Sequence, residues 1–172
     1  MSDRIYDIPW KQTLYNGIMY DSVLEVRWTR FLTELGIIHS YHPRVFTFPE
    51  FYGQPELYTY EIDYGLTHDA PYDFIEIKPT PPTANEYSKV RALSQRGYKV
   101  AIFAGGCNPD VQVYLFEYGH RKYIPRTSVF LQQCFQFKLN GRQGETVAAL
   151  KTVLGKKGNF TKAFEAAYRF KV

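Results

Sequence analysis

Cysteine, methionine and tryptophan each occur only twice in the 172 residues, and no stretch approaches the ~20 consecutive apolar residues that span a membrane. A helical membrane anchor is therefore not expected. Met1-Ser2-Asp3-Arg4 also lacks the charge-then-apolar pattern of a signal peptide, so the sequence predicts a soluble, cytoplasmic protein. Cys107 and Cys134 are too few and too unrelated in position for a disulfide framework, and read as buried reduced thiols. His39 and His42 stand three apart, a spacing found in metal sites, but no cysteine or further histidine lies near them. They are expected at a surface or a sheet edge rather than on zinc. Nucleotide-binding signatures are missing too: Gly105-Gly106-Cys107-Asn108-Pro109 has neither a dinucleotide fingerprint nor a Lys-Ser/Thr phosphate loop, and reads as a turn. No repeat, low-complexity tract or interdomain linker interrupts the chain.

What the sequence does have is apolar and aromatic mass, 45% hydrophobic and 17% aromatic residues, enough for one substantial core in a single domain over 1–172. Its charge is divided unevenly. Residues 1–118 carry 10 Lys/Arg against 15 Asp/Glu, and residues 119–172 carry 11 against 2, so a balance of −5 is joined to one of +9. An acidic front suits a metal and a basic rear suits polyphosphate.

The most informative stretch runs from Tyr60 to Pro79. Tyr60–Leu66 and Tyr72–Lys78 are rich in Tyr, Ile and Phe and alternate in polarity, while Thr67-His68-Asp69-Ala70-Pro71 is turn chemistry, so the stretch predicts a β-hairpin. With the turn centred between Asp69 and Ala70, Asp63 faces Glu76 and Glu61 faces Lys78. Like charges directly opposite repel, and a divalent cation would cancel that repulsion. Alternation puts Asp63, Glu76 and Lys78 on one face. Two carboxylates with a lysine two residues after the second are what metal-dependent phosphodiester cleavage requires. The acids hold Mg²⁺ through hard oxygen ligands, and the amine orients or deprotonates the attacking water and stabilises developing negative charge.

At these residues the chain resembles the PD-(D/E)xK nuclease superfamily, with Asp63 matching its first acid and Glu76-Ile77-Lys78 its E-x-K element; Ile62 stands where the signature has proline. The run Ser22-Val23-Leu24-Glu25-Val26-Arg27-Trp28-x-x-Phe31-Leu32 is similar to a phage and bacterial branch of small single-domain endonucleases, and so is the ending Ala163–Phe170. The resemblance implies an α/β fold with a restriction-endonuclease-like αβββαβ core over about 15–118, a mixed central sheet flanked by helices, and a basic helical C-terminal extension over 119–172. It implies a Mg²⁺-dependent DNA endonuclease, with Mn²⁺ as a substitute, working in a bacterial or phage-infected cell. Asp63, Glu76 and the Ile77 carbonyl would hold the metal, Glu25 would complete its environment, and Lys78 would act on the water. Cutting both strands of a duplex would favour a homodimer.

The rest of the chain reads consistently. Asp21-Ser22 opens a helix to Leu35, closed by Gly36, with Leu24, Trp28, Phe31, Leu32 and Leu35 as its buried face. Ser22-x-x-Glu25 is also a capping box, and spacing alone favours that role for Glu25. Ile37–His42 and Val45–Phe48 read as strands. Thr83 or Asn85 starts a second helix to Arg96, on which the family would place a basic side chain over the active site, here Lys89. Lys99–Ala104 reads as a buried parallel strand and Val111–Tyr118 as an added one. Glu145–Leu154 and Thr161–Phe170 read as helices, with Lys151, Lys156, Lys157 and Lys162 around their break as candidate phosphate contacts. Two alternatives compete with a nuclease: a nucleic-acid-binding module without turnover, and a structural or partner-binding protein in which Asp63, Glu76, Lys78 and Glu61 form a surface ion-pair ladder.

Overall fold

Two capped helices bracket the sheet, and their ends follow from local chemistry. In the computed structural model, which describes residues 11–48, 58–117, 143–155 and 158–170, α1 (Val23–Glu34) starts where the Ser22 hydroxyl accepts the Glu25 N–H. It ends at Gly36, whose φ of 67° suits a residue without Cβ. Helix α2 (Ala84–Gln95) follows Pro79, Pro81 and Pro82, and carries a full capping box between Thr83 and Glu86.

Five strands form the central sheet in the spatial order β3 (His39–Tyr41), β6 (Tyr64–Leu66), β7 (Phe74–Lys78), β8 (Val100–Ala104), β9 (Gln112–Phe116). All neighbours are antiparallel except β7 and β8, which α2 connects in parallel. Every residue of β8 is buried, as expected of a strand covered on both faces. Two small hairpins accompany the sheet: β1 (Thr13–Tyr15) with β2 (Ile18–Tyr20), and β4 (Val45–Phe48) with β5 (Tyr58–Glu61). The order from α1 to β8, leaving out β4 and β5, is helix, strand, strand, strand, helix, strand.

The sheet separates two cores. One face, with Ile75, Ile77 and Phe103, packs against Trp28, Phe31 and Leu32 of α1 and against the C-terminal helices α3 (Gln143–Leu154) and α4 (Phe160–Tyr168) through Leu150, Leu154, Ala163 and Phe164. The other face packs Val100, Ile102 and Phe116 against Val90 and Leu93 of α2 and against Phe46, Phe48, Tyr60 and Ile62 of the β4–β5 hairpin. The C-terminal helices thus supply core side chains. Tyr168 of the last helix is 71% exposed, with the Arg27 guanidinium over its ring. Cys107 is a buried free thiol; Cys134 lies outside the described residues.

The expected register is found: Tyr64 pairs with Ile75 and Gly65 with Phe74. The continuous strand expected from Tyr60 to Leu66 is not. Pairing with β4 draws Tyr58–Glu61 into a separate sheet, so Glu61 faces Val45 rather than Lys78. The chain turns at Ile62-Asp63. Tyr60 and Ile62 therefore lie beneath α2 while Tyr64 lies beneath α1, whereas one straight strand would put all three on the same side.

Candidate active site

Asp63 and Glu76 meet at the turn between β5 and β6. The Asp63 Oδ2 accepts the Ile77 N–H at 2.6 Å, and Glu76 Oε2 accepts the Asp63 N–H at 3.4 Å, so each acid is fixed by the backbone beside the other. The Lys78 ammonium lies 2.6 Å from Glu76 Oε1, with a second partner, Glu86 Oε1, at 3.6 Å. Glu76 is 3% exposed. The turn and β7 therefore bring Asp63, Glu76 and Lys78 together.

The electrostatics of this trio are unbalanced. Burial, then the neighbouring Glu76 charge, pushes the Asp63 carboxyl well above the usual carboxylate range. Burial raises Glu76 as well, opposed by Lys78. Burial alone would lower Lys78, but Glu76 and Asp63 outweigh it and raise the amine, which is therefore an ammonium at neutral pH. Two carboxylates share one nearby cation in a poorly solvated place, so a second cation fits the charge. Among the described residues no three His, Cys, Asp or Glu side chains stand close enough to form a cage for a metal. Two carboxylates with a backbone carbonyl suit a hard ion such as Mg²⁺, which keeps several waters and takes only one or two protein carboxylates.

Glu25 is engaged otherwise. Its Oε1 accepts the Ser22 hydroxyl at 2.9 Å, and its Oε2 accepts the Asp21 N–H at 3.0 Å and the Tyr41 hydroxyl at 2.5 Å. Glu25 thus braces the start of α1, through the Asp21 N–H and the Ser22 hydroxyl rather than through the Ser22 N–H that a capping box would use. Glu25 still lies near enough for its charge to raise the Asp63 carboxyl, although it is the least of the causes acting there.

Comparison with protein-family models, curated proteins and solved structures finds no match for this chain. What the site can do rests on its own chemistry.

Three residues that the sequence did not single out for this role line the site. His42 was expected at a surface or sheet edge. It has a φ of 46°, donates its N–H to the Asp63 carbonyl at 2.9 Å and stacks on Tyr41 at 3.9 Å. Its ring nitrogens lie 3.7 Å from Glu61, 3.8 Å from Asp21 and 4.0 Å from Asp63, so it belongs to the rim of the site. His39 does lie on an edge strand. Glu86 joins through Lys78; burial would raise its carboxyl, but the Thr83 donors and Lys78 hold it below the usual range. Tyr60 joins from β5, beside Glu76. A glutamate three residues after a helix-starting threonine was a readable signal for Glu86; nothing in the sequence pointed to the turn that brings in Tyr60 and His42.

The expected nucleic-acid contacts are divided between the two faces. Lys89 sits on α2, its ammonium 5.8 Å from the centre of the Tyr60 ring and thus close to the site. Lys151 lies over the Phe160 ring, and Lys162 is ion-paired with Glu34 at 2.6 Å, both on the α1 side of the sheet. Lys156 and Lys157 lie outside the described residues.

Proposed function

We propose that this protein is a metal-dependent nuclease of the PD-(D/E)xK type, hydrolysing phosphodiester bonds in nucleic acid, with DNA as the expected substrate. The observation that carries this reading is the pair of backbone-fixed carboxylates, half-buried Asp63 and buried Glu76, with Lys78 2.6 Å from the second. A buried excess of negative charge is costly unless a cation joins it, and proteins keep such arrangements at functional sites. The order of elements from α1 to β8, with β7 and β8 parallel, supports a restriction-endonuclease-like core into which the β4–β5 hairpin is inserted.

In this reading Asp63, Glu76 and the Ile77 carbonyl would hold Mg²⁺, whose chemistry there would be to polarise the phosphate and activate water. Lys78, protonated in the metal-free arrangement, orients the water and stabilises charge on the phosphoryl oxygens. Glu25 acts from the helix cap by holding Tyr41 and so the ring stacked on it, His42, against Asp63. Lys89, over the Tyr60 ring, is the basic residue this reading assigns to a neighbouring phosphate.

A binding module without turnover is the second reading, favoured by the two carboxylates that already satisfy Lys78. Incubation with plasmid, single-stranded and branched DNA in Mg²⁺, Mn²⁺ or EDTA separates the two. The nuclease reading expects metal-dependent cleavage by the wild type that Glu76→Gln abolishes. Binding that is indifferent to metal, with no cleavage of any substrate, would contradict it.

A further inference from the structure

Tyr60 is 7% exposed, and its hydroxyl is buried without a hydrogen-bond partner, although it lies beside the Glu76 carboxylate. Buried polar groups are nearly always paired, so an orphaned hydroxyl next to a candidate site calls for a reason. The reason lies in which donors Glu76 already has. Lys78 donates to Oε1 and the Asp63 N–H to Oε2, and with the carboxylate held by these two donors the phenol stands beside it without a bond of its own. A divalent cation on Oε1 would repel the Lys78 ammonium beside it, whereas a neutral phenol would not be repelled. Lys78 has a second carboxylate to turn to, Glu86 at 3.6 Å.

We infer that Tyr60 is a positioning residue of this site, its hydroxyl taking over from Lys78 as the donor that keeps Glu76 aimed once Lys78 turns toward Glu86. The inference rests on the metal-dependent reading above and deepens it, since it assigns a holding device to the carboxylate that would receive Mg²⁺. A further observation suits the role. The Lys89 ammonium stands over the Tyr60 ring, and a cation against an aromatic face restrains the ring's orientation.

Tyr60→Phe removes the hydroxyl and little else. In EDTA the variant is expected to unfold at the same temperature as the wild type or higher, because an unpaired buried hydroxyl is lost. Its affinity for Mn²⁺, read from the electron paramagnetic resonance signal of the free ion, is expected to fall about fivefold, the worth of roughly one neutral hydrogen bond. A variant that is destabilised or unfolded in EDTA would assign the hydroxyl an ordinary structural role and overturn the inference. Wild-type uptake of Mn²⁺ matched by equal uptake in Tyr60→Phe would overturn the inference alone. A wild type that takes up no Mn²⁺ would overturn the metal-dependent reading itself, and the role of Tyr60 with it.

Discussion

Asp63 carries the clearest consequence at the scale of single residues. Its carboxyl, raised by burial and by Glu76, is more easily protonated in the folded than in the unfolded protein. The stability it contributes is therefore fully present below the ordinary aspartate value of about 4 and is lost as pH rises through the folded value. Asp63→Asn keeps an acceptor for the Ile77 N–H and removes the charge, so in EDTA at neutral pH it should melt above the wild type. Each kcal/mol gained appears as about 2–4 °C in a domain of this size. The advantage should shrink as pH falls toward 4, which thermal scans across that range would check; a variant less stable than the wild type at neutral pH would count against a strained carboxylate pair. Lys78 gives the complementary case. Lys78→Ala leaves Glu76 buried and unpaired and should cost at least about 2 kcal/mol in denaturant unfolding, with most of it recovered in Lys78→Ala/Glu76→Gln. A surface ion-pair ladder would lose under about 1 kcal/mol. At this scale Asp63, Glu76 and Lys78 were legible because alternation and one register fixed their face. The role of Glu25 was legible as two roles at once, and its three donors, the Asp21 N–H and the Ser22 and Tyr41 hydroxyls, tie the start of α1 to β3 without the Ser22 N–H of a capping box.

Elements were legible where periodicity and capping agreed. Both caps at Ser22 and Thr83, the glycine stops, and the buried run of β8 follow from local chemistry that a sequence displays. The division of Tyr60–Leu66 was not legible, because Tyr60, Ile62 and Tyr64 are all buried and keep a period of two across the turn. Alternation reports that a residue is inside without saying which of two cores it enters. The competitor was β4, whose pairing with Tyr58–Glu61 is a contact between distant segments. A second long-range contact sits at Gly155, where φ is 66° and a Cβ would come within 2.7 Å of the Pro71 ring in the β6–β7 connection. Gly155→Ala should therefore destabilise by about 1–3 kcal/mol, the usual cost of a left-handed non-glycine residue, with the collision added. Equal chemical stability of the variant and the wild type would show that α3 does not end against this turn.

For the molecule as a whole, the uneven charge suggested an acidic core carrying a basic extension, yet α4 lies along α1 and delivers Phe160, Ala163, Phe164 and Ala167 to the main core. Composition marks a surface property and gives no sign of what the apolar half of a basic helix covers. Removing residues 159–172 should leave a chain that no longer unfolds cooperatively, as followed by circular dichroism; a truncated protein with an intact transition would restore the view of a separable tail. Among the described residues no helix is long and apolar enough to cross a membrane. The central claim, that Asp63 and Glu76 form a site for a divalent cation, is tested most directly by calorimetric titration of the folded protein with Mn²⁺ at neutral pH. The account predicts saturable binding in the wild type that Asp63→Asn abolishes; no uptake by the wild type, or undiminished uptake by Asp63→Asn, would contradict it.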